Sequence, residues 1–212
     1  MARSTKPRIS LDLPDKPDPT KGGGGWPLKL DHVDIWAWKL DLFTPEEMDA
    51  IIQIGTSTEL IKGKTVGLPK DEKVRNSDVQ FLFPNQTTNW IFGRLASAIQ
   101  EVNDNHFGFD LTGIDEGLQF TRYSAPGEHY TWHMDRGYAY RTRKLSISVQ
   151  LNDSSEYTGG ELQFKFSKDD LTVEKKRGVG IFFPSYTLHR VKKVTSGTRY
   201  SLVAWVNGPP FK

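Results

Sequence analysis

Beyond Gly117 the sequence is a succession of short runs rich in β-branched and aromatic residues, separated by Gly, Pro, Asn and Asp. Runs of this kind predict strands, and no segment with helical periodicity lies between them. Strands that follow one another without crossover helices form an antiparallel sandwich or jelly-roll barrel rather than a parallel α/β sheet. The predicted strands are 118–124, 144–151, 159–166, 171–175, 179–183, 187–194 and 198–206.

Two helices are predicted upstream of this region. Thr44 has the features of an N-cap, Pro45 suits the first helical position and Glu47 completes a capping box. A second helix from about Thr88 to Asn103 is indicated by apolar residues that recur every three or four positions. The fold class that we predict is mainly β with flanking helices (α+β), a jelly-roll core with N-terminal helices packed on it.

The chain length of 212 residues suits one domain with a tail. Residues 1–25 contain several prolines and end in four glycines, and we predict that they form a flexible tail. Residues 26–212 are predicted to be a single domain that begins with a strand-like stretch at 35–38. Within this domain we expect a helical support region at about 40–110 and the jelly-roll core at about 117–207.

Composition narrows the possible chemistry. The absence of cysteine excludes disulfides, thiolate nucleophiles, iron–sulfur clusters and Cys-type zinc sites, so any metal must be bound by His, Asp or Glu. The net charge is +2, and it resides in the first 25 residues, which hold five basic and three acidic side chains. Because the rest of the chain is neutral, charge argues against nucleic acid as a partner.

The sequence also gives an expectation about location. No apolar run approaches the roughly 18–20 residues that span a bilayer. The N-terminal residues lack the apolar segment of a secretory signal. We therefore predict a cytoplasmic protein without a membrane partner, while the oligomeric state is left open.

Three residues form a candidate metal site. His133 and Asp135 are two positions apart, so their side chains would point to the same side of an extended strand. This pair alone is more typical of a structural His beside a solvated Asp. If His189 lies on a facing strand, however, two imidazoles and one carboxylate share one face of a metal, the arrangement of non-haem Fe(II) oxygenases.

An anion receptor is predicted beside this site. Arg199 follows His189 by ten positions in the next predicted strand, and Ser201 lies two residues further on the same face. An arginine there can bind the carboxylate of an organic co-ligand through two parallel hydrogen bonds, with a hydroxyl assisting. The alternative is a surface salt bridge, because most arginines are exposed.

Five motifs follow one another over about residues 117–207. They are Tyr123-x6-Tyr130-x2-His133-x-Asp135, Gly159-Gly160-Glu161-Leu162-x-Phe164, Gly178-x-Gly180-x-Phe182-Phe183-Pro184, His189-Arg190-Val191 and Gly197-x-Arg199-Tyr200-Ser201-Leu202. As an ordered set they resemble the prolyl 4-hydroxylase-like branch of the Fe(II)/2-oxoglutarate dioxygenases. The resemblance implies a double-stranded β-helix core, a cupin-like form of the jelly roll.

The resemblance also assigns roles to residues and cofactors. It implies Fe(II), 2-oxoglutarate and O₂ as cofactor and co-substrates, with ascorbate as a further candidate. Its catalytic set is His133, Asp135 and His189 as iron ligands and Arg199 as ligand of the distal 2-oxoglutarate carboxylate. Tyr123, Ser201 and Gln150 complete the implied co-substrate site. Gln150 departs from the pattern, because many relatives carry a tyrosine at this position; its amide can donate a hydrogen bond instead.

The activity implied by the resemblance is hydroxylation of a C–H bond with release of succinate and CO₂. The first hypothesis is a peptidyl prolyl 4-hydroxylase-like enzyme with a peptide or protein substrate. A second hypothesis keeps the cofactors but changes the substrate to a free amino acid, another small molecule or a nucleobase. A third is a jelly-roll binding module without catalytic activity.

Two segments are candidates for substrate binding. Residues 136–144 hold Tyr138, Tyr140 and Arg141 directly after the candidate metal ligands, and we expect this loop at the mouth of the barrel. A solvated connection is the alternative. Arg75 begins a polar segment that either lines the substrate groove or forms an edge strand, and Tyr130 completes the candidate set.

Overall fold

A computed structural model describes residues 33–64 and 71–211 of the chain. The predicted tail, residues 1–25, lies outside the described residues, so the proposed domain boundaries stay a prediction. Within the two described ranges, no helix is both long enough and apolar enough to cross a bilayer.

The described residues form two helices and thirteen strands. The helices are α1 (Pro45–Thr56) and α2 (Asn89–His106). The strands are β1 (Ala37–Lys39), β2 (Ile61–Lys62), β3 (Arg75–Asn76), β4 (Asp78–Leu82), β5 (Leu118–Ser124), β6 (His129–His133), β7 (Arg143–Gln150), β8 (Tyr157–Gly159), β9 (Leu162–Lys165), β10 (Asp170–Thr172), β11 (Gly180–Pro184), β12 (His189–Val191) and β13 (Val194–Asn207). This content agrees with the predicted α+β class.

Side-chain hydrogen bonds stabilise the start of α1 and the end of α2. The Thr44 side chain accepts from the backbone of Glu47, and the Glu47 carboxylate accepts from the backbone of Thr44, so the predicted capping box is present. Helix α2 continues three residues beyond its predicted end. The Asn103 side chain explains the extension, because it bonds both the N–H and the carbonyl of Phe109 and holds the chain that leaves the last turn.

Eight strands form the larger sheet, in the order β1-β11-β7-β13-β5-β4-β2, with β8 pairing the start of β13. Alternate residues of its strands face opposite sides. On β5, Leu118 and Phe120 join the core cluster that includes α1 and α2, whereas Tyr123 belongs to a second cluster. One face of this sheet is therefore covered by helices, and the opposite face belongs to the second core cluster.

Five strands form the smaller sheet, in the order β10-β9-β12-β6-β3. The second core cluster contains Tyr123 and Phe183 from the larger sheet and Phe164 and Val191 from the smaller one, so the two sheets pack face to face. Strand β9 begins later than predicted because Gly159 and Gly160 adopt positive φ angles and turn the chain. Sequence periodicity did not predict β8 as a separate strand.

Candidate metal centre and adjoining cavity

His133 and His189 lie opposite each other on neighbouring strands. The antiparallel register of β6 and β12 pairs the two residues directly. Asp135 follows the end of β6, and its two carboxylate oxygens each lie 3.6 Å from the Nε2 atom of one histidine. The three potential ligand atoms are within 4.8 Å of one another. The structure therefore brings the three predicted metal ligands together.

Backbone carbonyls fix which nitrogen of each imidazole faces the carboxylate. Nδ1 of His133 is 2.8 Å from the carbonyl oxygen of Thr131, and Nδ1 of His189 is 2.8 Å from that of Thr187. A carbonyl only accepts, so each Nδ1 carries the proton and each Nε2 presents its lone pair to the site. Both rings are thus held in the tautomer that binds a metal through Nε2.

Burial and charge set the protonation of this cluster. Burial, with a smaller contribution from the adjacent His189 imidazole, lowers the pKa of His133 to about 3, so its ring is neutral at pH 7. Burial alone would raise the pKa of Asp135, but His189 and His133 outweigh it and the pKa is lowered. Two lone-pair donors and one carboxylate at one side of a cavity fit Fe(II) with open positions for other ligands.

Arg199 lies where the sequence predicts an anion receptor. Its side chain lies inside the sandwich and is 3% exposed, and its Nη1 donates to Ser201 Oγ at 3.2 Å. Its guanidinium carbon is 5.5 Å from the centroid of the Tyr123 ring. No carboxylate pairs with Arg199 among residues 33–64 and 71–211, which rules out the surface salt bridge there. A buried guanidinium without a counter-ion needs an anionic ligand.

Arg199, Ser201 and Tyr123 line one cavity together with the three candidate metal ligands. The cavity has a volume of about 400 Å³ and is open to solvent at one side. A cavity of this size accommodates a small dicarboxylate and leaves room for part of a second molecule. The residue types and their placement fit iron and 2-oxoglutarate.

Gln150 is placed differently from the prediction. Although β7 brings it close to Arg199, Gln150 borders a small neighbouring cavity and does not line the large one. Its amide nitrogen is 3.2 Å from the carbonyl oxygen of Asn152 and 3.4 Å from that of Tyr200. Because backbone carbonyls already use its donors, this placement does not support Gln150 as a ligand of the co-substrate.

The candidate substrate residues divide into two groups. Arg75, Tyr130, Tyr138 and Tyr140 line the large cavity, as the hypothesis requires. Arg141 does not line it; its guanidinium carbon lies 4.4 Å from the centroid of the Tyr138 ring at the exposed surface. Arg75 belongs to β3 at the edge of the smaller sheet and also lines the cavity, so its placement agrees with both interpretations, and a role in substrate binding stays a prediction.

Glu116, Arg143 and Trp205 also line the cavity, and the sequence analysis did not single them out. Arg143 is 6% exposed, and its guanidinium carbon lies 3.7 Å from the ring centroid of Tyr140 and 3.9 Å from that of Trp205. It also pairs with Glu116 and donates to the carbonyl of Asp135 at 3.1 Å. A signal existed for Trp205, because Arg199, Ser201 and Trp205 are separated by even numbers of residues on one strand.

Comparison with known sequences identifies the same region. Residues 118–207 match the model of the 2OG-Fe(II) oxygenase superfamily. A PKHD-type hydroxylase from Picosynechococcus sp. is 39% identical over 167 residues, which cover 78% of this chain and 74% of that protein. A PKHD-type hydroxylase from Prochlorococcus marinus is 38% identical over 91 residues. That alignment covers 42% of this chain and 41% of the relative, so it spans less than half of either protein.

Solved structures show the same fold. A Pseudomonas putida prolyl-4-hydroxylase matches with a TM-score of 0.68 at 19% identity, over 83% of this chain and 94% of its own. A Trichoplax adhaerens prolyl hydroxylase, solved with a peptide fragment of a hypoxia inducible factor, matches with a TM-score of 0.71 at 15% identity. This match covers 82% of this chain and 84% of that chain. These likenesses confirm the predicted jelly-roll core with its flanking helices.

The family match confirms the predicted use of Fe(II), 2-oxoglutarate and O₂, whereas ascorbate stays a prediction. The sequence identity to the Picosynechococcus hydroxylase extends over 74% of that protein. The family model matches the residues of the predicted jelly-roll core, so both comparisons indicate the same family. The chain therefore belongs to the 2OG-Fe(II) oxygenase superfamily, and its fold is that of the prolyl 4-hydroxylases.

Proposed function

We propose that this chain is a hydroxylase that uses Fe(II) and 2-oxoglutarate to hydroxylate a C–H bond in a peptide or protein, with a prolyl residue as the first candidate. One observation carries the proposal. Three metal-ligand atoms within 4.8 Å of one another share a cavity with a buried arginine that has no carboxylate partner in the described part of the chain. A binding module would have no reason to keep an uncompensated cation beside three convergent metal ligands.

Each residue of the site has a defined task in this proposal. His133, Asp135 and His189 would hold the iron, and Arg199 would bind the distal carboxylate of 2-oxoglutarate with Ser201 and Tyr123 beside it. Iron and 2-oxoglutarate, when bound, would supply the chemistry that couples O₂ and a C–H bond to a hydroxylated product, succinate and CO₂. The carbonyls of Thr131 and Thr187 orient the imidazoles. Leu162, Phe183 and Val191 line the cavity with apolar surface, which would limit water around bound iron.

The open side of the cavity supports a peptide substrate. Tyr138 is 89% exposed on the loop that follows the metal ligands, and Arg75 and Tyr140 form neighbouring parts of the wall. Aromatic rings and guanidinium groups around an open groove suit an extended peptide, whose carbonyls accept hydrogen bonds. The similar proteins are also named as hydroxylases, and one of them was solved with a bound peptide fragment.

The cofactor part of the proposal is tested by succinate formation from 2-oxoglutarate with and without Fe(II). We expect iron-dependent turnover in the wild type and its loss in His133→Ala and Asp135→Ala. His106→Gln is the matched control, because His106 pairs with Asp34 and does not line the cavity. Normal turnover in the two alanine variants would refute the assignment of the metal ligands.

The substrate part is tested by mass spectrometry of a peptide panel. A gain of one oxygen on a proline-containing peptide, coupled to succinate release, is the expected outcome. Oxidation of a free amino acid, another small molecule or a nucleobase, with no reaction on peptides, would replace the proposed substrate class. Failure to bind Mn(II) and N-oxalylglycine, an inert analogue of 2-oxoglutarate, would favour a non-catalytic module. Bound at 100 times its Kd, the analogue should stabilise the fold by about 2.7 kcal/mol.

A further inference from the structure

Two buried polar groups near the inner wall of the sandwich, one from a residue that lines the cavity and one from a neighbour behind it, have no hydrogen-bond partner within the described ranges. One is Nε of Arg199, and the other is the hydroxyl of Tyr157. Tyr157 is 4% exposed at the start of β8 and packs in the cluster between the two sheets. Each orphaned group costs free energy in the folded state, so a function that uses both groups would explain their retention.

The two side chains meet at Gly160. A Cβ atom on Gly160 would lie 3.0 Å from Cδ of Arg199 and 3.3 Å from Cε2 of Tyr157. Gly160 has a φ of +66°, which a residue with a side chain rarely adopts. Its missing side chain therefore leaves the space in which the guanidinium and the phenol approach each other.

Electrostatics supports this proximity. Burial raises the pKa of the Tyr157 phenol, and the charge and hydrogen-bonding groups of Arg199 act in the opposite direction. A phenol that remains un-ionised keeps one proton to donate and oxygen lone pairs to accept. A guanidinium only donates, so the two groups are chemically complementary.

We propose that Tyr157 is a positioning residue for Arg199, with its phenol oxygen accepting a guanidinium N–H and thereby directing the arginine at the distal carboxylate of 2-oxoglutarate. The inference rests on the proposed function, because it assumes that Arg199 binds that carboxylate. Ser201 already accepts from Nη1 on one side of the guanidinium. An acceptor at Tyr157 would hold the group from a second direction and reduce its freedom before the ligand arrives.

The placement of Gln150 gives this inference a second line of support. The amide of Gln150 is bonded to backbone carbonyls and does not hold the guanidinium of Arg199. Tyr157 brings a phenol beside Arg199 from a different strand, because β8 and β7 both pair with β13. Arg199 is therefore supported through β8 rather than by the residue at position 150.

The test compares ligand binding to wild type and Tyr157→Phe, loaded with Mn(II) under anaerobic conditions and titrated by calorimetry. N-oxalylglycine has both the chelating end and the distal carboxylate, whereas oxalate has only the chelating end. We expect the Kd of N-oxalylglycine to rise about tenfold in the variant, as for loss of a hydrogen bond to a charged group. The Kd of oxalate should be unchanged, and the KM for 2-oxoglutarate should rise with kcat within twofold.

Tyr200→Phe is the matched control, because Tyr200 neighbours Arg199 on β13 but stacks on Phe120 on the helix-covered side. An unchanged Kd of N-oxalylglycine in Tyr157→Phe would overturn the inference and leave the proposed function intact. Equal weakening of oxalate and N-oxalylglycine would also overturn it, because a general loss of structure affects both ligands. Absence of N-oxalylglycine binding in the wild type would instead refute the proposed function itself.

Discussion

The phenol ring of Tyr130 stacks on the imidazole of His133, with ring centroids 3.5 Å apart and planes inclined by 15°. The guanidinium carbon of Arg75 also lies over this phenol ring, 4.7 Å from its centroid. The stack therefore joins a candidate metal ligand to a buried cation of the cavity wall through one aromatic ring. It fixes the imidazole plane, which the carbonyl of Thr131 alone leaves free to tilt.

Removal of the stacking ring should weaken metal binding. We expect Tyr130→Leu to raise the Kd of Mn(II) about three- to tenfold, because aromatic stacking contributes about 0.5–1.5 kcal/mol beyond area burial. Tyr130→Phe keeps the ring and should bind Mn(II) within twofold of the wild type. Calorimetric titration of both variants checks the prediction, and an equal loss in both would show that the hydroxyl rather than the ring holds the site.

Spacing within strands accounts for part of the candidate site, because it fixes the direction of side chains two residues apart, whereas His189 joins His133 through strand register. His133 and Asp135 are two residues apart near the end of a strand, and Arg199 and Ser201 repeat the same spacing on β13. A period of two places both members of such a pair on one face whatever the neighbouring strands are. Both pairs line the same cavity, as their spacing predicts, and their roles in binding stay a prediction.

Residues brought together by strand register were not predictable in the same way. Glu116 and Arg143 are 27 positions apart, and their contact depends on β13 lying between β5 and β7. Gln150 has the periodicity of a cavity residue, but its side chain bonds backbone at the end of β7, which spacing does not reveal. Tyr157 lies on a three-residue strand that carries no periodic signal of its own.

The pair of Arg143 and Glu116 should contribute strongly to stability. Its side chains are 7% and 26% exposed, and Arg143 lies between two aromatic rings. We expect Glu116→Gln to lower the free energy of unfolding by about 1–3 kcal/mol, because it leaves a buried guanidinium without its counter-ion.

Glu101→Gln is the control for this change. The Lys39–Glu101 pair has side chains that are 28% and 60% exposed, and the variant should lose less than about 1 kcal/mol. Urea unfolding of both variants measures the difference. Equal losses of unfolding free energy would mean that burial of the Arg143–Glu116 pair adds no stability beyond that of an exposed pair.

A prediction about pH concerns the Asp78 carboxylate. Its Oδ1 lies 2.8 Å from Nζ of Lys62, and its Oδ2 lies 2.7 Å from Nη2 of Arg122. Burial on its own raises the pKa of the Asp78 carboxyl, but hydrogen bonds and charges from the two cations outweigh it and lower the pKa below its ordinary value of 3.8. The folded state thus binds fewer protons than the unfolded chain near that pH. Ionised Asp78 stabilises the fold above the ordinary pKa, and this stabilisation is lost as the pH falls through the folded-state pKa.

The free energy of unfolding of Asp78→Asn, measured in urea from pH 7 to pH 3, should follow this sign. We expect a constant deficit relative to the wild type above about pH 5 and a shrinking deficit once the pH falls below the unfolded-state pKa. A deficit that stays the same down to pH 3 would contradict the role of the ionised carboxylate.

Two helical glycines should respond in opposite directions to alanine. Gly55 of α1 is buried against the larger sheet, and a Cβ atom there would lie 2.3 Å from Cγ of Phe120. Gly93 of α2 is exposed, and no atom of the described residues lies within 4 Å of its added Cβ. Gly55→Ala should lower the free energy of unfolding by about 1–3 kcal/mol through overpacking, and Gly93→Ala should raise it by about 0.5–1 kcal/mol through helix propensity. Urea unfolding tests both, and a gain in Gly55→Ala would show that α1 does not rest on Phe120 at this point.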